Sequence, residues 1–268
     1  MISRLRLTLL GIRLNLVRGW QEMSGMRSFL QWVFDVLLYR LMALLPIEGN
    51  RLRTIKFKGG PVLSYRRKRS DFRTVAETWL THAYELPFAV ERPRLIVDLG
   101  TNIGATATWL AHRYGCERMI AVEPVPGNAA VARRNLAANG IDAEIHEAAI
   151  GGQEGVGFFA DSADASEGHV ADHGREVQLV TVPGLIGNEQ VDLLKMDIEG
   201  GEADAINGNV GWLEQVRVIV TELHPQYADT DGIIRTLQEA GFEYVPLPGD
   251  PDSVSGPEFM AAFRRVET

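Results

Sequence analysis

A single cysteine, Cys116, stands in the 268 residues, so an internal disulfide is impossible and a cysteine-built zinc site is excluded. That scarcity fits a reducing, cytoplasmic setting. Long apolar runs are also missing. Between Arg6 and Arg13 only LTLLGI is uncharged, too short for the core of a signal peptide. Between Arg27 and Pro46 the apolar stretch is broken by Asp35 and Arg40, where a spanning helix needs about 20 mostly apolar residues. Absent too is the G-x-G-x-x-G spacing of a dinucleotide-binding turn.

Positive charge is scarce in most of the chain. Residues 1–73 hold 15 Lys/Arg against 4 Asp/Glu, whereas the remainder holds 12 against 31, and the whole carries −8. An acidic main body is a poor partner for nucleic acid, whose affinity comes mostly from phosphate neutralisation. The basic N-terminal part suits an anionic surface better. Its apolar residues Phe29, Trp32, Val33, Val36, Leu37, Arg40 and Leu41 include the three-and-four spacing of a helix with one buried face. Such a helix packs on the protein's own core or on a second subunit. The other reading is a peripheral membrane anchor, with Arg4, Arg6, Arg13 and Arg18 at headgroups and Trp20, Phe29 and Trp32 inserted.

RTIKFK and VLSYR, separated by Gly59, Gly60 and Pro61, predict a hairpin over 53–66. The RRKRS run that follows reads as a solvated connector. DFRTVAETWLTHAYELP reads as a helix with Asp71 as N-cap and Pro87 as its stop. From residue 94 strands alternate with helices: LIVDLG, RMIAVEP, EIHEAAI, VDLLKMD, VRVIVTEL and FEYVPL, with ATATWLAHRY, NAAVARRNLAANG and DGIIRTLQEAG between some of them. That alternation predicts a mostly parallel, Rossmann-like sheet with helices on both faces. EFMAAFRRV is expected to be an antiparallel edge strand. Residues 151–176, rich in Gly, Asp and Ser, are expected to be a long functional loop. Three segments follow: a helical extension over 1–50, a hairpin and helix over 51–93, and the ligand-binding domain over 94–268.

Ligands of such sheets bind beyond the carboxyl ends of the strands. VDLGTNIG ends the first strand, with Gly100 and Gly104 allowing sharp turns and close backbone approach. Asp98 offers a carboxylate to a cationic ligand group, which favours an amino- and sulfonium-bearing ligand over a pyrophosphate. Glu123, ending the second strand, suits a ribose diol. Glu147 and Ala148, at the end of the third, border the expected place of an adenine ring. LLKMDIEGGE brings Lys195, Asp197, Glu199 and Glu202 to the fourth strand end, and VTELHP brings Glu222 and His224 to the fifth. A strand buried on both faces is normally apolar, so these polar ends mark the crevice. His224 is the candidate general base and Asp197 the second. No metal is expected, although Asp197, Glu199, Glu222 and His224 are the donors a divalent ion would use.

Taken together, VDLGTNIG, AVEP, LLKMDIEGGE and VTELH resemble the FkbM-type methyltransferases, whose pattern is close to VDVGANIG, FEP, LLKIDVEGAE and E-x-H. The resemblance covers roughly 71–265. It implies a class I methyltransferase fold with a seven-stranded sheet, S-adenosylmethionine as cofactor, and O-methylation of a hydroxyl on a sugar, glycolipid or secondary metabolite. It also implies that Asp98, Gly100, Asn102 and Gly104 contact the methionine end and that Glu123 holds the ribose. Asp197 and Glu199 would border the methyl, His224 would lie near the acceptor, and Tyr84 and Glu85 would cover the cofactor. Departures are Thr101 for Ala and Gly201 for the Ala of EGAE. A nicotinamide-dependent oxidoreductase on a similar sheet and a non-catalytic docking module are the alternatives.

Overall fold

Neighbouring residues on each central strand enter opposite apolar clusters. Ile96, Met119, Leu193 and Val218 pack on one face of the sheet; Val97, Ile120, Leu194 and Ile219 pack on the other. A strand buried on both sides has no polar face to spare, which is why these runs read as continuously apolar. The computed structural model describes residues 16–42, 49–67, 69–160, 169–171, 173–199, 201–206, 210–247 and 259–266. Arg4, Arg6 and Arg13, and residues 161–168 of the polar stretch, lie outside the described residues.

Helix α1 (16–22) and α2 (Gly25–Met42) precede an antiparallel hairpin, β1 (Gly49–Lys56) and β2 (Val62–Arg67). Then come α3 (Arg69–Val75) and a π-helical turn, Ala76–Leu80. The main sheet begins with β3 (Leu95–Leu99), followed by α4 (Ala105–Tyr114), β4 (Arg118–Val122), α5 (Pro126–Ala138) and β5 (Ala143–His146). A second sheet follows from β6 (Ala149–Ile150), β7 (Gly155–Ala160), β8 (His169–Ala171) and β9 (Arg175–Val180). The chain returns through α6 (Val182–Ile186) to β10 (Val191–Met196), α7 (Glu202–Ile206), β11 (Val216–Leu223), α8 (Thr230–Glu239), β12 (Phe242–Pro246) and β13 (Phe259–Arg265). The seven-stranded order is β12-β13-β11-β10-β3-β4-β5. The five strands from β11 to β5 are parallel, and β13 runs antiparallel to both its neighbours. This is the Rossmann-like architecture of class I methyltransferases.

Several local expectations need correction. β13 is not the edge strand: it lies between β11 and β12, because Met260, Ala261, Ala262 and Phe263 are buried and need a neighbour on each side. EIHEAAI is not one strand, since Ala149 and Ile150 leave the main sheet and pair with β9. The 151–176 stretch is not simply a loop; β7 and β9 form an antiparallel ladder that buries Phe159 against Ala149 and Val177. The helix after the hairpin starts at Arg69, so Asp71 is no N-cap, and it stops at Leu80, with His82 at φ 57 turning the chain.

Two carboxylates draw the first two residues of the RRKRS run, Arg66 and Arg67, inward from the solvated connector expected there, while Lys68 lies outside the described residues. Asp71, fully buried, accepts from the Arg66 backbone N–H at 2.7 Å and from its guanidinium at 3.0 and 2.8 Å. Asp35, buried on α2, accepts from Arg53 at 3.1 Å, Arg67 at 2.9 Å and the Tyr65 hydroxyl at 2.6 Å. Burial and the adjacent Asp35 hold the Tyr65 phenol well above its ordinary range. Asp35→Ala is expected to cost about 2 kcal/mol, since both arginines are part-exposed and can turn to water. Replacing Arg53 and Arg67 together strands the buried carboxylate and is expected to cost more, about 3–5 kcal/mol. Urea unfolding of the two variants checks that order.

Candidate functional site

Gly100 is where two strands compete for space. At φ 77, directly after β3, its hydrogen lies where a Cβ would stand 1.9 Å from the Asp197 carbonyl oxygen. Gly104, at φ 74, similarly lets α4 close on α5, with Ala132 Cα 3.0 Å from the absent Cβ. The glycines therefore serve the crossing of the protein's own backbone as much as the approach of a ligand. Gly100 and Thr101 donate to the Val122 carbonyl at 3.0 and 2.9 Å, and Asn102 turns the loop at φ 50.

Asp98 does not line the cleft. It is fully buried behind the loop, accepting from Thr101 Oγ1 at 2.6 Å, with Lys195 Nζ 3.2 Å from its other oxygen. Lys195, 1% exposed, donates to the carbonyls of Gly100 at 2.7 Å and Leu99 at 3.3 Å, and lies 3.7 Å from Asp197. Burial pulls the ammonium pKa down, but Asp98 and Asp197 outweigh it and the net shift is upward. Lys195 thus ties the glycine loop to the ends of β3 and β10.

In front of the loop is an open cleft, beyond the carboxyl ends of the parallel strands where such sheets take their ligands. Its walls include Tyr84, Gly100, Asn102, Glu123, Ala148, Lys195 and Asp197, which the sequence singled out. They also include Arg73, Thr74, Glu77 and Thr106, and Phe159 and Val170 of the second sheet, which it did not. Glu123 is held by the N–H groups of Asn102 at 2.8 Å and Val125 at 2.9 Å and by Asn128 at 3.2 Å. Burial, only partly offset by those donors, pushes its carboxyl up to about 7. Beyond it, Val122, Val125, Ala148, Ala149, Ile150 and Phe159 form an apolar slot.

Gly104, Glu147 and His224 are not in the cleft wall. Glu147 is an exposed side chain paired with Arg133 of α5, because the chain turns between β5 and β6. Glu85 pairs with Arg113 on the surface. His224 is 2% exposed, with Nδ1 3.0 Å from Glu202 Oε1 and Nε2 3.4 Å from Glu199 Oε2. Burial opposes its charge, but Glu202, Asp197 and Glu199 prevail and raise its pKa to about 9. The structure thus places the residue expected to be the base between two acidic side chains, behind the cleft wall.

Acidic groups crowd the far end of the cleft. Tyr84 donates to Asp197 Oδ2 at 3.1 Å, with Glu77, Glu199 and Glu222 nearby in the same wall. Burial and the neighbouring Asp197 lift the carboxyls of Glu199 and Glu222 to about 9 and about 8. Glu199 also holds the rare φ of 52 for a side-chain-bearing residue, the kind of strain that gathers at functional sites. Donor atoms of Asp197, Glu199 and His224 all lie within 4.8 Å of one another, close enough to share an ion.

Residues 98–244 match the methyltransferase FkbM domain, more than half of the chain. The chain belongs to the FkbM methyltransferase family. A curated relative, methyltransferase sdnD of Sordaria araneosa, is 25% identical over 209 residues, covering 62% of this chain and 80% of its own. Among solved structures, the FkbM methyltransferase of Methylobacillus flagellatus KT aligns over 93% of this chain and 58% of its own, at 14% identity and TM-score 0.47. Cofactor-bound Rv0187 from MTB aligns over 65% and 74%, at 19% identity and TM-score 0.41. This FkbM-family chain is an S-adenosylmethionine-dependent methyltransferase.

The cleft fits that cofactor on its own terms. Asn102 Oδ1 is buried without a hydrogen-bond donor among the described residues, an acceptor open to an ammonium. Glu123 supplies a carboxylate for a diol, and the slot beyond it is apolar enough for a purine.

Proposed function

We propose that this chain is an O-methyltransferase acting on a hydroxyl of a sugar, glycolipid or secondary metabolite. The observation that carries this reading is the carboxylate wall at the end of β10 and β11. Hydroxyl groups both donate to and accept from carboxyl groups, so Glu77, Asp197, Glu199 and Glu222 form a hydrogen-bonding surface for a polyhydroxylated ligand.

When bound, S-adenosylmethionine supplies an electrophilic methyl on a positively charged sulfur. In our reading Asn102 and the Gly100 loop hold its amino acid end, Glu123 its ribose, and Ala148 with Phe159 its adenine. Asp197 takes the acceptor's proton. Its Oδ2 is occupied by the Tyr84 hydroxyl and faces Lys195, which leaves Oδ1 for the acceptor. Tyr84 and Lys195 are positioning residues for that carboxylate. His224 holds Glu199 in its strained turn and Glu202 at the start of α7.

Asp197→Asn is expected to lower kcat about 10²–10⁴-fold, the range for loss of a general base, while the dissociation constant of S-adenosylhomocysteine changes less than threefold. Turnover is followed as S-adenosylhomocysteine release over a panel of sugars, glycolipids and hydroxylated metabolites. Release with amine acceptors alone would contradict the hydroxyl assignment.

Cofactor affinity is also expected to depend on pH through Glu123. The ribose needs the carboxylate, and the free protein protonates it as pH falls through about 7. Affinity should therefore be flat above pH 8 and fall up to about tenfold per unit below 6. Glu123→Gln should bind weakly at every pH. An unchanged slope in that variant would assign the dependence elsewhere.

A further inference from the structure

Helix α2 is apolar on more sides than its own fold covers. Its inner face sends Trp32 and Val36 into the core, where Trp32 meets Tyr65 and Phe72. Its outer face presents Met26, Leu30, Phe34 and Leu37, each more than half exposed and spaced four, four and three residues apart, so they form one stripe. Trp20 of α1, also more than half exposed, packs edge-on against Phe29 at 5.2 Å and extends the patch. Isolated exposed apolar residues are ordinary, but a contiguous ridge marks a contact surface.

Charge selects the occupant. Of the acids in the described N-terminal part, Asp35 and Asp71 are fully buried and paired with arginines, which leaves Glu22. Arg27 and Arg51 are exposed, and the Arg67 guanidinium lies over the Phe34 ring at 5.6 Å. Residues 1–73 carry a surplus of eleven positive charges, against a deficit of nineteen in the rest. A second copy joined through the same face would bring two basic surfaces together, whereas an anionic bilayer neutralises one.

We propose that the Met26–Leu30–Phe34–Leu37 ridge, with Trp20, seats this protein on an anionic lipid surface, the apolar side chains entering the headgroup boundary and the surrounding arginines meeting lipid phosphates. The acidic cleft-bearing part is then repelled from the same surface. Such a contact lies in the interface plane; among the described residues no helix is long and apolar enough to cross a membrane.

The test uses the full chain with vesicles of phosphatidylglycerol and phosphatidylcholine in equal parts, and with phosphatidylcholine alone. Co-sedimentation is expected with the anionic vesicles, at least tenfold weaker on the neutral ones, and to fade between 50 and 500 mM salt, as headgroup attraction is screened. Met26→Glu/Leu30→Glu changes only exposed positions of the ridge, so it should keep the wild-type melting curve and lose at least tenfold in binding. Equal sedimentation of that variant, or equal binding to neutral vesicles, would overturn the proposal. A wild-type dimer seen by light scattering, abolished by the same substitutions and unable to sediment with lipid, would overturn it in favour of a second copy.

Discussion

Gly100→Ala is expected to unfold or badly distort the site, with a loss of at least about 3 kcal/mol in stability and no measurable cofactor binding. Two costs coincide at this position. An L-residue at φ 77 pays about 1 kcal/mol for the left-handed conformation. The added methyl would then stand 1.9 Å from the Asp197 carbonyl oxygen, a backbone atom with no rotamer to escape into. The ends of β3 and β10 must separate, carrying Asp197 and the loop apart. Gly140→Ala is the control: its φ is 68, but nothing lies within 4 Å of the new methyl, so only the conformational cost of about 1 kcal/mol applies. Urea unfolding and calorimetric titration with S-adenosylhomocysteine separate the two variants. A Gly100→Ala protein as stable as Gly140→Ala would mean that the strand ends are not packed as described.

Lys195→Met is the second substitution with a large expected effect, about 3–5 kcal/mol of stability, because it removes the cation paired with the fully buried Asp98. Removing one partner of a buried pair costs more than removing both. Lys195→Met/Asp98→Leu should therefore recover part of the loss, and the shortfall from additivity measures the coupling. The sign of the pH dependence follows from the upward shift of the ammonium. Its contribution is complete below the unfolded lysine value and disappears only as pH rises through the higher folded one. The penalty of Lys195→Met should thus be constant between pH 7 and 9. Asp98→Ala is likewise expected to loosen the glycine loop, since Asp98 pairs with Lys195 and accepts from Thr101.

The sheet was legible because its physics is local. Leu95 to Leu99 and Val191 to Met196 are apolar on both faces of the pleat, interrupted only where Asp98, Asp192 and Lys195 stand. Glu123 and Asp197 could be read from the same logic, being polar groups at or just beyond the carboxyl ends of buried strands. What escaped depended on contacts between distant segments. Nothing in KMDIEGGE says that Glu202 turns back to hold His224 Nδ1. Asp35 is far from VLSYRRKRS in sequence and Asp71 directly follows it, and together they draw Arg66 and Arg67 inward from a run that reads as solvated. The glycines and polar residues of 151–176 masked a ladder whose single buried aromatic, Phe159, helps wall the cleft. Arg73, Thr74 and Glu77 come to the same wall from the helical segment after the hairpin, where no motif marked them.

The most direct test is a crystal structure of this protein with S-adenosylhomocysteine. The ligand's ribose hydroxyls are expected on the Glu123 carboxylate, its adenine between Ala148 and Phe159, and its sulfur turned towards Asp197, with room for a hydroxylated acceptor against Glu199 and Glu222. Density for the ligand outside this cleft, or a sulfur turned away from Asp197, would contradict this placement.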